Sequence, residues 1–530
     1  MLFTSYEFIG FLIILFLLYY VLPKRFRWML LLFGSYVFYF LARPIYVVYI
    51  LATTVVVYFC ALWIEKKKAR SEAVFAEQKQ QMDKEAKKAF KAQAKKQRFN
   101  ILLIGLIVGI GILAVIKYTN FTISNINSVL GLFGSEKQLS FLNIIVPMGI
   151  SFYTFQSIGY LIDVYRGTCQ PQKNFFKFAL FVSFFPQLVQ GPISRYGDLS
   201  KTLYEGNDFD FKKFSFGIER IMWGFFKKLV IADRILIGVN TLINDADTYK
   251  GAYVFVGMMF YALELYCDFT GGIDITIGVA QCLGIDVAEN FIRPFFSKNI
   301  KEYWNRWHIT MGSWFTDYIF YPITVCGPML KISKWSRKHL GETIGKRVPI
   351  YLSSFVVWFA TGIWHGASWN FIVWGLANFV VIMISQELEP LYNRFHGRFH
   401  LNKYRAYQGF MAIRTMLLMS FLRTFDCYRD VPLTFKMFGT MVTEGNWNVL
   451  WNGSLLDLGL KGTDYIILAL GVLILFTVSM LQRKESVRER ILKLAYPLRA
   501  LIWCSLFLVI LIFGIYGIGY DSTQFIYNQF

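Results

Sequence analysis

Charge is scarce in this chain. Only 17% of its 530 residues are Asp, Glu, Lys or Arg, against about 25% in soluble domains, and this shortage excludes an ordinary soluble fold of this length. Histidine is rarer still, with five residues. The seven cysteines, Cys60, Cys169, Cys267, Cys282, Cys326, Cys427 and Cys504, are scattered, mostly inside apolar stretches. No CxxC pair and no His in metal-ligand spacing accompanies them, so they read as buried small hydrophobes, with neither a metal site nor a disulfide framework indicated. Basic residues are missing ahead of the first apolar run, and Ala-x-Ala-like cleavage signals are missing after it, so that segment is expected to persist as a helix. No solenoid or transporter-type repeat is visible, which counts against a transporter.

What fills the space is apolar. Hydrophobic residues make up 55% and aromatics 18%, and the mean hydropathy is +0.44. A helix crosses a bilayer with about 20 mainly apolar residues, because each peptide group must find its hydrogen-bond partner within its own segment. Phe8 to Leu22, Trp28 to Leu41, Ile45 to Ile64, Ile101 to Ile116, Tyr465 to Leu481 and Leu501 to Tyr520 meet that test. These runs predict an all-α integral membrane protein of roughly ten to thirteen helices in one polytopic domain over 1–530.

The net charge of +21 would suit nucleic acid, but the Lys and Arg residues cluster between apolar spans as cytoplasmic loops do. No nucleic-acid partner is expected. The stretch from Glu65 to Arg98, with KKKAR and KEAKKAFKAQAKKQR, reads as a basic, low-complexity cytoplasmic loop insertion (65–98) suited to anionic lipid headgroups. Counting spans from it puts the N-terminus outside, Lys24, Arg25 and Arg27 inside, Asn120 to Lys137 outside, Arg483 to Arg499 inside, and Phe530 outside. Arg293 to Arg306, Lys331 to Arg347 and Arg394 to Arg405 also look cytoplasmic, and irregular apolar runs between them are expected to re-enter.

Polar groups inside the apolar runs are the candidates for chemistry. His339, His396 and His400 sit in basic loops. His365, in ATGIWHGASWN, lies within Val348 to Gln386, which contains no Asp, Glu, Lys or Arg. An imidazole there is costly unless it faces a cavity or a partner. Gly362 and Gly366 let the backbone bend while Trp364 and Trp369 wall the site, although a hydrogen-bonded core histidine explains the same residues equally well. His308 lies in KEYWNRWHITMGSWFTDYIFYP, where Trp304, Trp307 and Trp314 alternate with Lys301, Asn305 and Arg306 as in an interfacial helix able to meet phosphate. A plain surface anchor fits as well. Asp268 and Asp274, in YCDFTGGIDITIG, could bind an ion or proton, or, more simply, bond to neighbouring helices. PMGISFYTFQSIGYLIDVYRG (Pro147 to Gly167) and FFPQLVQGPISRYGDL (Phe184 to Leu199) read as re-entrant or kinked elements lining a cavity.

Taken in order, these four stretches resemble the membrane-bound O-acyltransferase (MBOAT) family, most closely its bacterial branch containing the membrane subunit of alginate O-acetylation. The likeness runs from Leu2 to Phe530. FFPQLVQGPISRY, ENFIRPFFSKNIKEYWNRWHIT and GIWHGASWNFIVWG carry it most specifically, supported by WGFFKKLVIADR and the closing FIYNQF. The basic insertion and Asn305, where the family often has Arg, are departures that touch neither histidine.

The resemblance implies a helical bundle with re-entrant and interfacial helices around a funnel or tunnel. It puts the family's invariant histidine on His365, as general base, and its second active-site position on His308. By the same likeness Lys298, Lys301, Trp304, Asn305 and Arg306 would receive the donor, with Gln187, Gln190, Asp268, Trp364 and Asn370 along the substrate tunnel. The expected donor is acetyl-CoA or another acyl thioester, with no tightly bound cofactor, and the site is a bacterial cytoplasmic membrane. The expected partners are an extracytoplasmic acyltransferase or polysaccharide-export machinery, and the polymer could be an alginate-like exopolysaccharide, cellulose or peptidoglycan. D-alanyl transfer to teichoic acid from an acyl carrier protein is the near alternative. From another class stands a transporter with Asp268, Asp274 and His365 as an ion or proton relay.

Overall fold

The computed structural model describes residues 3–517. Its elements are helical, and the isolated antiparallel bridge between Phe291 and Trp307 is the one strand-like pairing among those residues. Met1 and the closing FIYNQF with Phe530 lie outside the described residues, and so do the terminal placements expected of them.

Among the described residues, seven helices are long and apolar enough to cross a membrane: Pro44–Gln78, Lys84–Leu132, Ala252–Cys282, Arg347–His365, Trp369–Glu387, Gly462–Leu481 and Tyr496–Phe513. Tyr6–Val21 is apolar but shorter. Only 17% of the apolar window of Gly462–Leu481 and 6% of that of Tyr496–Phe513 is buried within the protein. Such continuous apolar surface is unfavourable in water and is satisfied by lipid.

Two expectations need correction. The basic stretch 65–98 is not a loop, because Pro44–Gln78 runs into it and Lys84–Leu132 starts within it, leaving only 79–83 as a turn. Ala, Lys, Glu and Gln are strong helix formers, and the Asp83 side chain caps the second helix by accepting from the Ala86 amide at 2.6 Å. The run from Pro147 to Gly167 is not kinked: Pro147 and Gly149 precede an unbroken helix, Ile150–Arg166. Gly149 is left-handed (φ 72°), and a Cβ there would meet the Leu188 carbonyl oxygen at 1.9 Å. The stretch from Phe184 is broken as expected, into a single turn Phe185–Leu188 and an irregular lead to Tyr196–Leu203.

The chain forms two compact units, Met1–Phe214 with Val279–Val287, and Ser215–Gly278 with Ala288–Phe530. In the first, Phe8, Phe11, Phe38 and Phe185 pack ring against ring at 5.2–6.5 Å. The second contains both candidate histidines.

Candidate active site

His308 sits at a break between two short helices. Ile300–Trp304 starts with Asn299, whose side chain accepts from the Glu302 amide at 2.8 Å, and Ile309–Phe315 follows the histidine. His308 itself is left-handed (φ 48°, ψ 53°), a conformation costing a non-glycine residue about 1–3 kcal/mol. The surroundings impose it. The Ile292 amide donates to the Arg306 carbonyl and the Ile309 amide to the Asn290 carbonyl, each at 3.0 Å. The Asn290 Oδ1 accepts from the Thr310 amide at 3.0 Å and the Thr310 hydroxyl at 2.9 Å, and it lies 3.3 Å from His308 Nδ1.

That arrangement selects the tautomer. The Thr310 amide can only donate, so the Asn290 atom facing it is the oxygen, and His308 Nδ1 must carry the hydrogen. The lone pair is then on Nε2. Phe269 lies 5.0 Å from the imidazole and Phe291 6.4 Å, ring to ring. Burial, reinforced by the charge of Arg423, pulls the His308 pKa down to about 3, so the ring is neutral at physiological pH. The interfacial-helix expectation fails here, since the helix breaks and Trp307 and Trp314 are buried.

His365 reaches the same neighbourhood from a regular element. It is the last residue of Arg347–His365; the chain turns at Gly366 and returns as Trp369–Glu387. The hairpin closes tightly because a Cβ on Gly362 would meet the Phe371 carbonyl at 2.6 Å and one on Gly375 the Trp358 carbonyl at 2.5 Å. Trp374 lies 4.7 Å and Trp364 5.0 Å from the His365 ring. Trp364 also lies 5.8 Å from His308, so one indole contacts both imidazoles. Trp369, expected as a wall, is 57% exposed and faces outward.

A third buried polar side chain at this cluster went unnoticed in the sequence. Arg423, on Arg405–Tyr428, is 4% exposed, and its guanidinium carbon lies 4.5 Å from the Trp374 ring centre, 5.2 Å from Trp307 and 5.9 Å from Trp304. These cation–π contacts hold it among the aromatics beside both histidines. Among the described residues it approaches Asp426 at 3.5 Å, and its Nε hydrogen finds no hydrogen-bond partner. An unmet buried donor costs about 1–3 kcal/mol, more when charged. The available signal was a lone Arg deep in SFLRTFDCY.

The other sequence candidates divide. Trp304 packs on Trp358 at 4.9 Å and Trp374 at 5.9 Å. Asn370 donates to the Phe425 carbonyl at 3.3 Å, tying the hairpin to the Arg423 helix. Lys298 donates to Gln408 at 3.2 Å and Arg306 pairs with Glu302 at 2.5 Å, while Lys301 and Asn305 are exposed. Asp268 is fully buried in an ion pair with Lys228 at 2.5 Å, and Asp274 is held by Lys227 at 2.6 Å and Arg220 at 2.9 Å. Both lysines come from a π-helical turn, Phe226–Ala232, inside WGFFKKLVIADR. Gln187 and Gln190 belong to the first unit. Gln187 accepts from Gln156 at 3.3 Å and donates to Ser194 at 2.6 Å, whereas the buried Gln190 amide makes no hydrogen bond. A cavity of about 800 Å³ in the second unit is lined by Arg220, Lys227, Arg293, Arg488 and Trp223, and by Phe291, which also flanks His308.

Residues 172–426 match the family described as MBOAT, membrane-bound O-acyltransferase family. The chain is 34% identical to a probable alginate O-acetylase AlgI of Pseudomonas syringae pv. tomato, over 85% of this chain and 76% of that protein. It is likewise 34% identical to a probable alginate O-acetylase AlgI of Azotobacter vinelandii over 71% of this chain, and spans 66% of that relative's length, just under two thirds. A teichoic acid D-alanyltransferase of Bacillus subtilis is 30% identical over 45% of this chain and 59% of its own.

Proposed function

Because the chain belongs to the membrane-bound O-acyltransferase family, we propose that it carries an acetyl group from a cytoplasmic thioester, acetyl-CoA, across the bacterial cytoplasmic membrane for O-acetylation of an extracytoplasmic polysaccharide. A partner acyltransferase outside the membrane takes the group onward. Among the observations, the one that carries this reading is the pair of buried imidazoles in contact with the same indole, Trp364.

In the proposed reaction the acceptor hydroxyl adds to the thioester carbonyl as His365 takes its proton. The carbon–sulfur bond then breaks, and the leaving thiolate recovers that proton from His365. Imidazole suits this work because its ordinary pKa lies near neutrality. His308, neutral and with its lone pair on Nε2, orients the attacking hydroxyl as an acceptor. The 800 Å³ cavity behind Phe291 brings Arg220, Lys227, Arg293 and Arg488 together with the acidic Glu219, Asp274 and Glu289, and exposed Lys301 adds positive charge suited to a phosphate-bearing donor. Membranes carrying the protein and supplied with labelled acetyl-CoA should transfer the label to a hydroxyl acceptor, and those carrying His365→Ala should not.

The likeness to a teichoic acid D-alanyltransferase supports a second reading, D-alanyl transfer from a carrier-protein thioester. Retention of acyl carrier protein by the purified protein, without acetyl-CoA binding, would favour it.

A further inference from the structure

We propose that Arg423 is a catalytic residue whose guanidinium donates to the oxyanion formed on the thioester carbonyl when the hydroxyl adds. This rests on the acyl-transfer reading above.

The step needs such a donor. As the oxygen–carbon bond forms, the hydroxyl proton passes to His365 and the carbonyl π pair moves onto oxygen. When the carbonyl re-forms, the carbon–sulfur bond breaks and the thiolate takes the proton back. The negative charge held between these events sits on one oxygen, and in a site closed to water only fixed donors can stabilise it. Neither imidazole is arranged to do so. His365 is engaged with the hydroxyl proton, and the Asn290 bond leaves His308 Nε2 as an acceptor.

Arg423 has the properties the step requires. It cannot lose its proton. It is 4% exposed and keeps an Nε hydrogen without a partner. Contacts with Trp304, Trp307 and Trp374 hold it in place, and the last of these indoles lies 4.7 Å from the His365 ring. The hydrogen-bonding capacity is thus preorganised before substrate arrives, which is the condition under which one oxyanion donor gives its full effect.

The test uses membranes and detergent-purified full-length protein with labelled acetyl-CoA. Arg423→Met paired with Asp426→Asn removes both members of the ion pair, so that no lone charge stays buried. The expected result is a kcat lower by about a hundredfold to a thousandfold, with KM for acetyl-CoA within about threefold, a similar loss at every pH, and an unchanged thermal midpoint. Arg423→Lys keeps the charge but not the fork, and should recover only part of the rate; it also carries the test should the double variant not fold. Unchanged kcat in either folded variant overturns the proposal. So does a loss that is wholly a shift of the pH profile, since that would make Arg423 a positioning residue acting through His308. His365→Ala is measured alongside. If it is inactive while the Arg423 variants are normal, only the Arg423 role falls; if it is active, the general-base role of His365 falls; and if the native protein itself transfers no label, the acyl-transfer reading falls with both.

Discussion

His308 and His365 arrive at one aromatic cluster by opposite means. His308 is held in a left-handed backbone by polar bonds to Asn290 and Thr310, in a segment of five- and seven-residue helices. His365 ends a regular nineteen-residue helix and is placed by the close packing of a glycine-lined hairpin. The first is set by hydrogen bonds, which fix a tautomer and a ring direction; the second is set by steric fit, which fixes only position. A site that needs one group with a defined lone pair and one able to exchange a proton gains from that division.

The largest effect should come from breaking the steric side. Gly362→Leu would drive a side chain into the Phe371 carbonyl, 2.6 Å from where its Cβ would lie, and should cost about 3 kcal/mol. The purified variant should show a sharply lower thermal midpoint and little acetyl transfer, whereas a normal midpoint would mean that the hairpin is not closely packed. On the polar side, Asn290→Ala strands the Thr310 donors and frees the His308 tautomer. That should cost about 2 kcal/mol of stability and lower kcat as well, leaving the hairpin in place.

The protonation of His308 can be read through stability. Its pKa is about 3 when folded and near 6.5 when unfolded, so between those values the unfolded chain binds the extra proton. Stability must then rise with pH through that window and level off above about 6.5. Lowering the pH from 7 to 5 should cost the native protein about 2 kcal/mol more than His308→Asn, seen as a steeper fall in thermal midpoint. Equal slopes would place the His308 ring in contact with solvent. The smallest effect isolates backbone strain, because His308→Gly and His308→Ala both lose the ring but only glycine is at ease at φ 48°. The glycine variant should be the more stable by about 1 kcal/mol.

The membrane character was readable because lipid exposure is written in composition: Ile45 to Ile64 and Tyr465 to Leu481 lie within helices of the expected kind. His365 was readable for the same reason, as a lone titratable group in an apolar run. What escaped depended on partners distant in the chain. The turn at His308 is imposed by Asn290, eighteen residues away, so local alternation of Trp with basic residues suggested a surface helix where the indoles in fact point inward. Arg423 matters because Trp304, Trp307 and Trp374 surround it, an arrangement no local pattern announces. The basic stretch 65–98 was misread because charge density concealed strong helix propensity.

The role assigned to His365 is the centre of the proposed mechanism, and transfer of label from acetyl-CoA in membranes carrying His365→Ala tests it most directly. With equal amounts of folded protein, transfer should fall by about a thousandfold from the native rate. Transfer at the native rate would contradict general-base catalysis by this histidine.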